Sequence, residues 1–216
     1  MEPIIQILAR ELDKKPEHVE NVVRLIDEGN TIPFIARYRK ELHGAMDDTA
    51  LRTLADRLQY LRNLDKRREE VKSAIEGQGK LTEELSAAID AAATLAEVED
   101  LYRPYKPKRR TRATVAREKG LEPLAQLLYA QEKDGPAPED AAGDYVDAGK
   151  GVESAEDALQ GAGDIIAEWI SDDADIRKGL RELVWRKGYL VSAAAAKEPE
   201  DTVYRLYYDF KSPLNR

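Results

Sequence analysis

Seven cations stand between Arg103 and Arg117 with no acid among them: Arg103, Lys106, Lys108, Arg109, Arg110, Arg112 and Arg117. Guanidinium groups make planar, paired hydrogen bonds to phosphate, and ammonium groups add point charge. Tyr102 and Tyr105 interleave with these cations, and aromatic rings beside arginines can stack on unpaired bases. The chemistry this predicts is contact with a nucleic-acid backbone, RNA or DNA, without reading of base sequence. A charge run alone is not specific, and arginine clusters also dock on acidic surfaces of their own protein or of a neighbouring domain. Both fates stay open for Arg109, Arg110 and Arg112, and they are compatible.

A second, smaller basic surface is Arg37, Arg39 and Lys40, in the segment 32–40 that follows a helix and a Gly29-Asn30 turn. That is the layout of a helix-turn-helix, although the second helix is only about two turns long and Phe34, Ile35 and Tyr38 are expected to serve packing. Gly120 with Pro123 makes a similar joint, but the helix after it, Leu124 to Ala130, carries no positive charge to read DNA. Glu41, His43, Asp47 and Asp48 combine imidazole and carboxylates that could hold a divalent cation. Their spacing fits no ligand motif, and Asp47 and Asp48 are explained as the acidic start of a helix. His18, early in a helix beside Glu17 and Glu20, reads as a solvated surface histidine. There is no phosphate-cradling glycine loop, nucleophile elbow or zinc motif. The expectation is a binding module rather than an enzyme, with no catalytic residues, no cofactor and no metal.

The elements that must carry these groups read as helices. Apolar residues recur at three and four positions nearly everywhere, so the fold class expected is all-α, a multi-helix module with helix-turn-helix-like elements and one long central helix. Ile4, Ile7, Leu8 and Leu12 make a first amphipathic stripe; Pro16 opens a second helix that Gly29 ends, and Pro33 opens a short third. Asp47 or Asp48 caps a long fourth helix with the stripe Leu51, Leu54, Leu58, Leu61, Leu64, Val71 and Ile75. Thr82 caps another, and Thr94 with Glu97 forms a capping box. Pro104 and Pro107 put the start of the basic run in an extended loop, which leads into a helix from about Ala113 to Lys119. Pro123 starts the next, through Tyr129. Ser154 caps a helix to Trp169 or Ile170 that tolerates Gly161 and Gly163, each costing about 1 kcal/mol. Asp173 to Lys187 is a further helix, and Tyr189 to Ala194 is a short strand or an extended connector. Gly135, Pro136 and Pro138 mark an exposed joint, so two packed lobes are expected, 1–134 and 135–216. The closing residues Val203 to Phe210 are too apolar to stand alone in water and are expected to pack on something.

Charge is distributed unevenly. The chain of 216 residues has a formal net charge of −8, so apart from the basic run it carries −15. Glu132 to Asp175 holds 14 acids against Lys133 and Lys150, an opposite pole that would repel phosphate. With no cysteine there is neither a disulfide framework nor a thiolate site, and no stretch has the length of a membrane span or the form of a signal peptide. The expected compartment is the cytoplasm.

Two stretches carry a family resemblance. Thr31-Ile-Pro-Phe-Ile-Ala-Arg-Tyr-Arg-Lys-Glu41 and the run Tyr102 to Leu124 closely resemble the signature stretches of the bacterial Tex-like transcription accessory proteins. The resemblance extends along the chain to Tyr207-Tyr-Asp-Phe-Lys-Ser-Pro-Leu214, and departs in detail at Arg103 and His43, where an apolar residue and a threonine are expected. It implies a helical N-terminal region, with the RNase-H-like, helix-hairpin-helix and S1 domains of such proteins absent from these 216 residues. It also implies that the S1 domain is the principal nucleic-acid binder while this region is scaffold and accessory surface. Expected partners are RNA or DNA, those further domains and the transcription machinery, with no membrane.

Overall fold

The computed structural model describes residues 3–133, 135–195 and 202–215. Asp134 of the acidic stretch lies outside them. The chain divides into two units, Met1–Tyr102 and Arg103–Arg216.

The first unit is built on a long helix. Its elements are α1 (Ile4–Glu11), α2 (Pro16–Asp27), α3 (Ile32–Tyr38), α4 (Asp48–Glu76), α5 (Glu83–Ala91) and α6 (Leu95–Tyr102). Prolines open α2 and α3, where the fixed ring torsion suits the first turn and no backbone donor is lost. The Asp47 carboxylate accepts from the Ala50 amide at 2.7 Å and starts α4, whose 29 residues span about 44 Å. The expected leucine stripe is buried along α4. Its first half closes a core with Leu8, Val19, Val22, Leu25 and Ile35 from α1, α2 and α3, and its second half packs on α5 and α6. Each such leucine contributes about 2 kcal/mol by leaving water. Arg68 interrupts the stripe; it donates to the Ala92 carbonyl at 2.7 Å and pairs with Asp65. Arg57 with Glu11 and Arg62 with Asp27 make paired hydrogen bonds of 2.7 to 2.8 Å that tie α4 to α1 and α2.

The second unit holds α7 (Arg112–Glu118), α8 (Glu122–Ala130), α9 (Pro138–Gly143), α10 (Ala155–Asp172), α11 (Ala174–Lys187), β1 (Tyr189–Ala193) and β2 (Asp209–Pro213). Its core is made of small residues: Ala113, Ala116, Ala125, Ala141, Ala142, Ala158 and Ala162 surround Leu121, Leu124 and Ile165. Small side chains let α10 approach α7, α8 and α9 closely. Gly161 is the limiting case, since a methyl group there would come within 2.4 Å of Leu121 Cδ1 and 3.3 Å of Ala116 Cβ. Because α10 packs on helices both before and after the 134/135 position, the Gly135 to Pro138 joint lies inside the second unit, and the division by packing falls at Tyr102/Arg103 instead.

The residues Tyr189 to Ala193 form a strand that pairs antiparallel with β2, from Tyr189 opposite Pro213 to Ala193 opposite Asp209. This two-stranded sheet is a small addition to a predominantly helical protein. α11 buries none of its residues fully, and Leu180, Val184 and Trp185 are exposed on it. Of the apolar tail, Val203, Tyr204, Leu206 and Tyr207 lie exposed, while Tyr208 and Phe210 are half-buried and the Phe210 ring lies 5.8 Å from that of Tyr207. No helix among the described residues is long and apolar enough to cross a membrane.

Candidate nucleic-acid interface

The basic run starts as one 3-10 turn, Arg103–Tyr105, continues without regular structure to Arg110, and enters α7 through a capping box. Thr111 accepts from the Thr114 amide at 3.1 Å, while the Thr114 hydroxyl accepts from the Thr111 amide at 3.4 Å. Gly120, with a φ of 85°, closes the far end of the helix in the left-handed region that glycine tolerates.

Asp164, Glu168 and Asp172 are spaced by four along α10 and therefore share one face. The run lies against that face. Arg103 Nε donates to Asp172 at 2.9 Å, and Lys108 pairs with Asp172 and, at 3.5 Å, with Glu168. Arg117 donates to Glu168 at 2.7 Å, and the Thr111 hydroxyl reaches the other oxygen of the same carboxylate at 3.1 Å. Arg112 stands 3.5 Å from Asp164, and Arg110 donates to Glu118 at 2.7 Å. Arg109 makes no ion pair among the described residues. Burial alone would raise the Glu168 carboxyl; the hydrogen bonds from Arg117 and Thr111 and the positive field of Lys108 outweigh it and hold the group below its ordinary range.

Two rows of cations result. An inner row, Arg103, Lys108 and Arg117, covers carboxylates that are only 13% to 15% exposed. Arg110 and Arg112 are 69% and 85% exposed and form an outer row with Arg109. The acidic stretch thus does not sit opposite the basic run: three of its acids lie directly under it. Docking on the protein's own acids does occur, but chiefly through Arg103, Lys108 and Arg117 rather than through Arg109, Arg110 and Arg112, the set that the sequence singles out. A cleft of about 510 Å³ between loop and helix has Lys106, Lys108 and Arg117 facing Glu168 and Asp172. With both signs inside, it suits a phosphate poorly.

Tyr105 is half-buried. Tyr102 closes the first unit, where the Arg67 guanidinium lies 5.5 Å from its ring centre. Also in the first unit, α2 and α3 join through Gly29 and Asn30, and Asn30 Nδ2 donates to the Leu25 carbonyl at 2.9 Å. Ile35 of α3 enters the core, Phe34 is half-buried, and Tyr38 stays exposed together with Arg37 and Lys40. Tyr38 therefore does not do the packing expected of it. His43 is buried with neither ring nitrogen hydrogen-bonded, Asp47 caps α4, and Asp48 pairs with Arg52 at 2.7 Å. His43 is thus enclosed, Asp47 and Asp48 are engaged at the start of α4, Glu41 is exposed, and no group of three or more such ligands gathers among the described residues. The His18 ring, half-buried, lies over Gly44.

Comparison with known proteins matches residues 2–76 to the Tex-like protein N-terminal domain and residues 133–216 to the Tex central region. The chain is 42% identical over 215 residues to transcriptional accessory protein Tex of Neisseria gonorrhoeae, covering 98% of this chain and 28% of that protein. The chain belongs to the Tex-like family. It is also 49% identical over 211 residues to protein YhgF of Escherichia coli, covering 97% of this chain and 27% of that protein. To S1 RNA-binding domain-containing protein 1 of Homo sapiens it is 33% identical over 196 residues, 90% of this chain and 19% of that protein. The chain spans about a quarter of the length of the curated relatives it matches.

In this Tex-like chain the basic run lies between the two matched regions, whereas Arg37, Arg39 and Lys40 lie within the N-terminal one. Four residues that position the run escape a reading of the sequence: Thr111, Asp164, Glu168 and Asp172. A signal exists in the four-residue spacing of the three acids, but it points to a helix face and not to what covers it.

Proposed function

We propose that this chain is a non-catalytic helical scaffold of a cytoplasmic Tex-like transcription accessory protein that adds a weak, sequence-independent contact to nucleic-acid phosphates. Arg109, Arg110 and Arg112 make that contact. The observation that carries the reading is the division of the basic run into two rows. The inner row anchors the loop on α10, so the outer row is held ready and little loop ordering remains to be done on binding. The human relative is named for an RNA-binding S1 domain, which favours RNA as the polyanion. The test is a titration of the 216-residue chain with single-stranded RNA at several salt concentrations. Affinity should fall with salt, and replacing Arg109, Arg110 and Arg112 by alanine should flatten the dependence by about 0.7 to 1 for every phosphate that is no longer neutralised. Unchanged binding by the triple variant overturns the reading.

A second reading, a docking module for further domains of the same protein or for the transcription machinery, is favoured by α11. A groove of about 520 Å³ there is lined by Leu180, Val184, Trp185 and Leu214. Under this reading Leu180→Ala with Trp185→Ala loses docking, while the triple variant keeps its RNA affinity.

A further inference from the structure

We propose that α3 and the residues after it form a stacking platform for the unpaired bases of a single-stranded nucleic acid. The inference rests on the reading that the chain binds nucleic acid, and it assigns a second site with a different chemistry from the phosphate contacts of the Arg109 loop. In the first unit, Arg57, Arg62 and Arg67 each grip a carboxylate on another helix. Arg37, Arg39 and Lys40 do not: among the described residues none of them is in a salt bridge. Counting the exposed Glu41 beside them, residues 37–41 keep a net charge of +2, which attracts a polyanion.

The same patch has an aromatic surface. Phe34 and Tyr38 stand one turn apart on α3, with ring centres 5.2 Å apart, and Tyr38 is 56% exposed. The Arg39 guanidinium lies 5.3 Å from the Phe34 ring and donates to the Tyr38 carbonyl at 3.1 Å, so it is fixed against the aromatic pair. Arg37 lies 6.0 Å from the Tyr38 ring. Ile35, next to Phe34 in the chain, is fully buried and holds the short helix in the core. Ring planes and guanidinium planes gathered at a surface, beside cations outside any salt bridge, offer a base a stacking face and its phosphate a counter-charge. A duplex hides its base faces, so the platform fits single strands.

The test compares two probes on the 216-residue chain: a uridine dodecamer, and an abasic ribose-phosphate oligomer with the same number of phosphates. Tyr38→Ala is expected to weaken binding of the uridine oligomer about tenfold and to leave the abasic oligomer unchanged, while Tyr38→Phe keeps both. Arg37→Ala with Arg39→Ala is expected to weaken both probes. Equal binding of the uridine oligomer by Tyr38→Ala and the parent chain overturns the platform. Weaker binding by the Arg109, Arg110, Arg112 variant with full binding by Tyr38→Ala supports the loop alone, and the reverse supports the platform alone. Absence of binding by the parent chain overturns both.

Discussion

Arg117 donates to Glu168 at 2.7 Å, joining the last cation of the basic run to the middle acid of the α10 stripe across 51 residues of chain. Lys108 and Thr111 converge on the same carboxylate. A segment that reads as an open cationic loop is thereby fastened along one edge, and Arg110 and Arg112 on its outer edge face water most fully.

This arrangement makes the second unit sensitive to acid. Glu168 has its carboxyl lowered from an ordinary value of 4.5, so it binds a proton less readily folded than unfolded. The stability it supplies is complete above about pH 4.5 and is lost as the pH falls through the lowered folded value. Thermal melts between pH 7 and pH 3 should show this decline, and Glu168→Gln should be less stable at pH 7 and flatter in acid. A variant whose pH profile matches the parent refutes the assignment.

The two glycines of α10 should respond in opposite directions. Gly163 is exposed with nothing within 4 Å of an added methyl, so Gly163→Ala should stabilise by about 1 kcal/mol through helix propensity alone. Gly161→Ala gains the same propensity but drives a methyl to 2.4 Å from the buried Leu121, and overpacking costs about 1 to 3 kcal/mol. Urea denaturation should place Gly161→Ala below Gly163→Ala, and equal midpoints would contradict the close crossing of α10 over Leu121.

Asp164 faces Arg112, which is 85% exposed. Asp164→Asn removes a competitor for that guanidinium while keeping the size of the side chain. Affinity for single-stranded RNA should rise about two- to threefold, with a steeper salt dependence. A fall in affinity would count against phosphate contact at Arg112.

His43 is buried with both ring nitrogens unpartnered. Replacing it by leucine, close in volume, removes two polar atoms that lost water and gained nothing, and should stabilise the first unit by about 1 kcal/mol. A lower denaturation midpoint for His43→Leu would show that the imidazole is supported in the folded chain.

Much of the fold is legible in the sequence because its signals are local. Helix stripes act over three and four residues, and the caps at Asp47, Thr82, Thr94 and Ser154 each close within three residues, as the structure shows. The family resemblance, likewise, lies in two short stretches. Length and caps do not place the division between units, since that depends on which helices α10 packs against on either side of the Gly135 to Pro138 joint.

The candidate site divides the same way. Sequence by itself determined that Arg103 to Arg117 is a cationic segment leading from a proline-bounded loop into a helix near Ala113, because charge and proline signals are written in neighbouring residues. Only the tertiary structure decided which cations remain outward. Arg103 meets Asp172 across 69 residues and Arg117 meets Glu168 across 51, and such pairs exist only after α7 has packed on α10. The same holds for Tyr38: its aromatic character is in the sequence, but its exposure follows from the way Ile35 turns α3 toward the core.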